Sequence, residues 1–327
     1  MQDNIKVLIF GGSGFIGSHL VNSIKSVNPG VELFNADILP NNHNDKSQFV
    51  QCDVRQPIVL PEINLDSEDI IFNFAAVHRT PGHPDQEYFE TNISGAENVC
   101  AYARQVGVKT IVFTSSIAPY GASESQKKED TLCTPNTPYG ISKLVAEKVH
   151  LAWQIEDKSR NLLILRPGVV FGKGERGNFT RLYQGLQKRR FLYPGRKDTI
   201  KGAIYVKDLV AFMLHELALM RGGYCETYNC TYHPAYTIEQ IVTTMCSVTN
   251  VAKPWGVVPG GLLKCAALVI GALGGRSLGI HPDRVKKLMI STNISGAKLA
   301  STSFKMHYGL EGGIRDWFAD NGNRCLE

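Results

Sequence analysis

At 327 residues, 43% hydrophobic and 20% charged, the chain is long enough to bury a full core, and its balance is that of a globular protein. The net charge of +5 comes from scattered residues with one short cluster, Lys188-Arg189-Arg190, and nothing resembles a nucleic-acid-binding module. Eight cysteines lie far apart, with no C-x-x-C spacing for a metal, which fits free thiols in a reducing cytoplasm.

The first apolar run, residues 5–10, ends in glycines and reads as a buried parallel strand; it follows no basic-then-apolar leader, so no signal peptide is expected. A helix is expected over 15–27 and a second strand over 31–36, ending at Asp37. Further strands are expected at 70–75, 110–114 and 162–166, with helices over 88–106 and 139–153 between them. This alternation predicts an α/β, Rossmann-type doubly wound parallel sheet.

Past Gly172 the pattern loosens. Residues 178–190 read as a helix, 203–220 as a strand turning into a helix, and 238–248 as another helix. The expected division is a dinucleotide-binding domain over 1–172, to which 200–230 return, and a smaller interleaved C-terminal substrate lobe over 173–327. The stretch 257–273 is almost wholly apolar, although Gly260, Gly261, Lys264 and Gly271 interrupt it. It is shorter than the ~20 residues that span a bilayer. Two readings stand: a buried or partner-covered helix, or a peripheral membrane contact. The basic cluster likewise reads as a solvated face or as an attraction for an anionic substrate or membrane surface.

Gly11-Gly12-Ser13-Gly14-Phe15-Ile16-Gly17 links the first strand to the first helix with G-x-x-G-x-x-G spacing. Gly11 permits the tight turn, Gly14 admits a pyrophosphate to the backbone, and Gly17 lets helix and strand pack closely. The phosphates would meet free amides and the helix dipole at Phe15, Ile16 and Gly17. Asp37 ends the second strand and accepts from ribose hydroxyls; it would repel a 2′-phosphate, so NAD is expected over NADP. Asp53, followed by Val54, reads either as an adenine contact or as a turn cap. Tyr139 and Lys143, four residues apart on a helix, share a face. An ammonium beside a phenol favours the phenolate and lowers the tyrosine pKa, giving a proton acceptor for hydride-transfer chemistry.

Taken together, these residues resemble the extended short-chain dehydrogenase/reductase family, in its nucleotide-sugar epimerase/dehydratase branch. The resemblance also rests on Asn73-Phe74-Ala75-Ala76, Asn92-Ile93-Ser94-Gly95-Ala96, Arg166-Pro167 with Phe171-Gly172, Tyr205-Val206-Lys207-Asp208 and the ending from Gly309 to Trp317. A closer likeness is to bacterial surface-polysaccharide enzymes acting on N-acetylhexosamines carried on UDP or undecaprenyl diphosphate. It implies Ser116, Tyr139 and Lys143 as the catalytic triad. It adds Phe74, Ala75, Ala76, Asn92, Ser115 and Pro167 to the cofactor contacts, together with Tyr139 and Lys143.

Candidate substrate contacts are His78, Arg79, Arg176, Asn178 and Lys201, beside Ser116; no metal is implied. Ile117-Ala118 stands where a dehydratase of the family carries an acid/base pair, which argues against dehydration. The implied activity is an NAD-dependent sugar 4-epimerase, with a 4-keto-sugar reductase, a hydroxysteroid-type dehydrogenase and a dinucleotide-sensing regulator as alternatives. A homodimer pairing the helices near 88–106 and 139–153 is implied as well, and a cytoplasmic protein, with contact to the inner membrane face left open.

Overall fold

The computed structural model describes residues 5–40, 46–78, 82–259, 261 and 290–327. Its first strand, β1 (Lys6–Phe10), buries Val7, Leu8, Ile9 and Phe10 completely. A strand with both faces out of water belongs in the middle of a covered parallel sheet. There follow α1 (Phe15–Val27), β2 (Glu32–Asp37), β3 (Gln48–Gln51), β4 (Ile70–Asn73), α2 (Asp85–Phe89), α3 (Gly95–Val106), β5 (Thr110–Thr114) and β6 (Ser123–Lys127). Next come α4 (Pro138–Ile155), β7 (Asn161–Pro167), β8 (Val169–Phe171), α5 (Asn178–Gln187), β9 (Tyr193–Pro194), β10 (Ile200–Lys201), β11 (Ala203–Tyr205) and α6 (Val206–Leu219). The chain closes with β12 (Cys225–Cys230), β13 (Tyr236–Thr237), α7 (Ile238–Thr249), β14 (Val257–Val258), β15 (Thr292–Ile294), α8 (Ala297–Ala300) and α9 (Gly309–Asp320).

Contacts divide the chain into two interleaved units. The first runs to Gly121 and takes up Glu129–Pro167 and Leu209–Asn229; the second gathers Ala122–Lys128, Gly168–Asp208 and the chain from Cys230 on. These boundaries run differently from 1–172 and 173–327. The segment carrying β6 leaves the first unit, and β8 already belongs to the second.

In the first unit a seven-stranded sheet has the order β12-β7-β5-β4-β1-β2-β3. The pairings from β7 through to β3 are parallel. The chain winds from β1 out to β2 and β3, then crosses to β4 and winds the other way. That reversal leaves a crevice beyond the C-terminal ends of β1 and β4, the usual ligand position in such sheets. The second unit contains a four-stranded sheet, β13-β10-β15-β6, and the pairs β11-β8 and β14-β9. Three of that sheet's strands have only two or three residues, and β6 (Ser-Glu-Ser-Gln-Lys) is wholly polar, so no apolar periodicity marked the sheet in the sequence.

Two expected helices differ. The one expected over 88–106 is broken by a wide π-turn at Glu90–Ser94, which separates α2 from α3. The one expected over 178–190 stops at Gln187, because Arg189 turns left-handed at φ 53°.

Asp208, at the start of α6, is fully buried within the second unit. It accepts from the amides of His307, Tyr308 and Gly309 at 2.9, 3.1 and 3.1 Å and from the Tyr232 hydroxyl at 2.9 Å. A carboxylate from another helix thus caps α9, whose own N-terminal residue supplies no cap. Asp208→Ala orphans three amides and a phenol, and a loss of about 3 kcal/mol or more is expected from urea unfolding. A loss below about 1 kcal/mol would contradict this role.

Candidate active site

Gly11, at φ 79°, turns the chain off β1, and its amide donates to Ala36 O at 3.0 Å. A Cβ here would lie 2.6 Å from Ala75 N and 2.8 Å from the Phe74 carbonyl carbon. The loop therefore rests directly on the backbone that leaves β4, where Phe74, Ala75 and Ala76 lie. At Gly17 a Cβ would come within 2.6 Å of Gly12 Cα, so only glycine lets α1 start this close to the strand. Gly14 is the N-cap of α1, with no side-chain cap and no acidic residue in the first turn. Phe15, Ile16 and Gly17 thus present their amides to an anion.

Asp37 ends β2 on the same loop. Its Oδ2 accepts from Ser13 N at 3.1 Å, and Asn35 Nδ2 holds the Ser13 hydroxyl at 2.9 Å. Burial pushes the Asp37 carboxyl up, while amides of Leu39, Ser13 and Ile38 oppose that shift. Open amides at a helix start, a close-packed glycine cradle and a carboxylate at the second strand's end fit the pyrophosphate and ribose of NAD. Asp53 is engaged by Arg55, whose Nε and Nη2 reach its carboxylate at 2.9 and 2.6 Å. That hydrogen bond is the main cause of its lowered pKa. Val54 is buried and lies 2.8 Å from where a Gly95 Cβ would be, pinning the start of α3.

β5 delivers Ser115 and Ser116. Pro138 and the Thr137 cap, whose hydroxyl accepts from Gly140 N at 3.1 Å, start α4. A Cβ on Gly140 would sit 2.7 Å from Ala118 O, so the first turn of α4 presses on the turn after Ser116. Ser116 Oγ accepts from Ala118 N at 3.1 Å. Tyr139 sits beside Ser116, whose hydroxyl favours the phenolate, and both side chains keep part of their surface open. Lys143 is 3% exposed; its Nζ donates to Thr114 O at 2.8 Å and lies 4.9 Å from the Phe113 ring.

The structure thus brings the expected triad together, but the electrostatics correct one expectation. Tyr139 is pushed up, not down: burial dominates, the Ser116 hydrogen bond opposes it, and Tyr88 adds to it. Lys143 is itself pushed down to about 7 by burial, with Glu147 opposing. Its Nζ is aimed at a carbonyl in a dry site, and its own lowered pKa limits how far it offsets the burial of the phenol.

Behind these three residues lies a buried network that has no local signature in the sequence beyond one spacing. Arg166 donates to both carboxylate oxygens of Glu147, from Nε at 2.8 Å and Nη2 at 2.6 Å, with side chains 9% and 2% exposed. Ser115, expected at the cofactor, donates its hydroxyl to Glu147 Oε1 at 2.6 Å and is 2% exposed. Arg166 Nη1 also donates to the Tyr120 hydroxyl at 2.5 Å, which donates to Asn229 Oδ1 at 2.9 Å. The available signal was spacing: Glu147 follows Lys143 by one helical turn.

Asn92, inside the π-turn, accepts from Val77 N at 2.9 Å and donates to the Ser142 hydroxyl at 2.8 Å. It braces the loop after β4 against α4. Pro167 O, at the end of β7, accepts from Ile117 N at 3.1 Å. His150 stacks on Phe113 and is held at about 4 by burial, so it stays neutral. Its Nδ1 donates to Ala146 O at 2.7 Å and its Nε2 accepts from Asn73 at 3.2 Å.

Among the expected substrate contacts, His78 is exposed in the first unit, and Arg79 lies outside the described residues. Arg176 and Asn178 are exposed at the start of α5, in the second unit. Lys201 donates to Ile290 O at 2.8 Å and is pushed down to about 8 by burial, with Glu124 opposing.

The chain matches the NAD dependent epimerase/dehydratase family over residues 7–231. It belongs to that family. It is 31% identical over 323 residues to the N-acetyl-alpha-D-glucosaminyl-diphospho-ditrans,octacis-undecaprenol 4-epimerase of Escherichia coli O157:H7, covering 96% of this chain and 94% of that one. It is 26% identical over 283 residues to the UDP-glucose 4-epimerase of Lactobacillus helveticus, covering 78% and 85%. The Helicobacter pylori ADP-L-glycero-D-manno-heptose-6-epimerase shares the fold, with a TM-score of 0.75 at 18% identity over 97% of this chain and 96% of that one.

The buried ammonium gives a test of the site's cost. Lys143 has a folded pKa of about 7 against an ordinary 10.5, so the unfolded chain holds its proton more tightly. The penalty is complete below pH 7 and fades as pH rises from about 7 to 10.5. Glu147 keeps Arg166 when Lys143 is removed. Lys143→Met is therefore expected to gain about 1–3 kcal/mol in denaturant unfolding near pH 6, with the gain shrinking above pH 8. A variant less stable than wild type at pH 6 would contradict the buried charge.

Proposed function

We propose that the protein is an NAD-dependent sugar 4-epimerase, acting on a hexose or N-acetylhexosamine linked through a diphosphate to a nucleotide or lipid carrier, in surface polysaccharide synthesis. The observation that carries this is Ser116, Tyr139 and Lys143 assembled beyond the sheet's switch point, beside a glycine loop built for a dinucleotide. The 31% identical 4-epimerase, matched over 96% of the chain, supports the same reading. In it the first unit binds NAD and supplies the reacting groups, and the second contributes further substrate contacts.

Tyr139 Oη takes the proton of the sugar's O4 hydroxyl, and Ser116 Oγ holds that oxygen as it becomes a carbonyl. Lys143 binds the nicotinamide ribose. Bound NAD supplies a hydride acceptor, and its positive ring favours the Tyr139 phenolate that burial alone disfavours. The 4-keto sugar would then present its other face to the reduced cofactor, and Tyr139 would give the proton back to O4. Ile117-Ala118, in the place of an acid/base pair, argues against dehydration of the keto sugar. His78, Arg79, Arg176, Asn178 and Lys201 are assigned to the diphosphate and sugar.

The protein is further proposed to be a cytoplasmic homodimer pairing α3 and α4. Ile141, Val145 and Ile155 on α4 are 40, 37 and 74% exposed at helical spacing, an apolar stripe that a partner helix would cover. A monomer by light scattering at micromolar concentration would remove the dimer. Contact of 257–273 with the inner membrane face lies outside the described residues except at 257–259 and 261. No described helix is long and apolar enough to cross a membrane.

Denaturing the purified protein should release NAD, and turnover should need no added coenzyme; an empty site requiring NADH would make it a reductase. Tyr139→Phe should lower kcat at least ~100-fold with NAD retained. Near-normal turnover in that variant would end the proton-transfer role.

A further inference from the structure

Two segments of the second unit build one basic, aromatic surface. The first is the end of α5, where Lys188, Arg189 and Arg190 are all exposed. The second is the loop after α7, which carries Lys253, Pro254 and Trp255. Parallel pairing of β14 with β9 clamps the two together: Tyr193 N donates to Gly256 O at 3.1 Å and Gly195 N to Val258 O at 2.9 Å. Leu186, Arg189, Phe191, Lys253 and Trp255 line an open cleft of about 240 Å³ between them.

Two features set this face apart. Trp255 is 85% exposed, whereas Trp153 and Trp317, the other tryptophans of the chain, are both 0% exposed. A bare indole is costly in water and favourable at the boundary between lipid headgroups and acyl chains. The charge is also uncompensated. Residues 186–197 and 249–259 contain six lysines and arginines and no acidic residue. Arg196 and Lys197 find Glu124, Asp198 and Glu239 elsewhere. Among the described residues, Lys188, Arg189, Arg190 and Lys253 make no ion pair. In sequence the loop leads directly into the apolar run 257–273, in which Lys264 is the one charged residue.

We infer that this face is a docking surface for an anionic phospholipid bilayer. Lys188, Arg189, Arg190 and Lys253 meet the headgroup phosphates, and Trp255 seats its indole at the interface. Neither the cleft nor its cations belong to the triad, and the inference is separate from the choice of sugar.

Flotation with phosphatidylglycerol–phosphatidylcholine vesicles, free of any sugar lipid, tests it on the full chain. Binding is expected at low salt, falling as salt rises and absent on pure phosphatidylcholine. Each cation near such a surface contributes about fivefold, so the triple variant Lys188→Gln/Arg189→Gln/Arg190→Gln should weaken binding on the order of a hundredfold. Because the other tryptophans are buried, the wild-type emission should move to shorter wavelength when vesicles are added, and Trp255→Ser should abolish that change. No flotation at low salt would overturn the inference. So would equal binding by the triple variant, an unmoved Trp255 emission on bound protein, or capture by heparin with no preference for anionic vesicles.

Discussion

Lys143 carries an ammonium into a place that water barely reaches, and that single constraint organises what surrounds it. An unpaired buried charge is expensive, so it needs a carbonyl, a ring face or a counter-charge close by. Thr114 O and Phe113 supply the first two from β5, and Glu147 supplies the third from one turn further along α4. Glu147 is itself too deep to stand alone, and Arg166 on β7 holds it with two hydrogen bonds. Ser115, Tyr120 and Asn229 then satisfy what remains of that pair. One buried lysine thus draws in a helix, two strands of the sheet and the turn between Ser116 and Tyr120.

The same logic explains why Tyr139 does not start as a ready base. Burial raises its pKa, and Lys143, whose own pKa burial lowers, does not outweigh that. In the mechanism proposed for the chain, the phenolate becomes favourable when a nicotinamide cation is adjacent. Chemistry is then coupled to cofactor binding, and a protein without cofactor keeps its tyrosine protonated.

Much of the first unit was legible in the sequence because its signals are strong and local. A fully apolar strand running into G-x-x-G-x-x-G has few other meanings, and Asp37 falls where the second strand ends. α1 and β5 have the bounds expected of them, since glycine and a change of hydrophobic period mark their ends. Tyr139, Lys143 and Ser116 were legible through spacing and resemblance. The second unit was not, because its sheets are built from strands as short as Ile200–Lys201 and Tyr236–Thr237, paired across long separations. The Glu147–Arg166 pair was hidden for a different reason: a glutamate on a helix reads as a solvated charge until the fold shows it buried. Ser115, expected at the cofactor, illustrates the same limit, since only tertiary contacts reveal that its hydroxyl points to Glu147.

The central claim is that the hydride returns to the sugar it left. Substrate deuterated at C4 of the hexosamine, incubated with the enzyme and excess unlabelled NADH, tests it directly by mass spectrometry of the epimer. An epimerase leaves the deuterium at C4 of the product, and the NADH pool gains none. Loss of the label from the sugar, with its appearance in the free cofactor, would contradict an epimerase and mark an oxidoreductase.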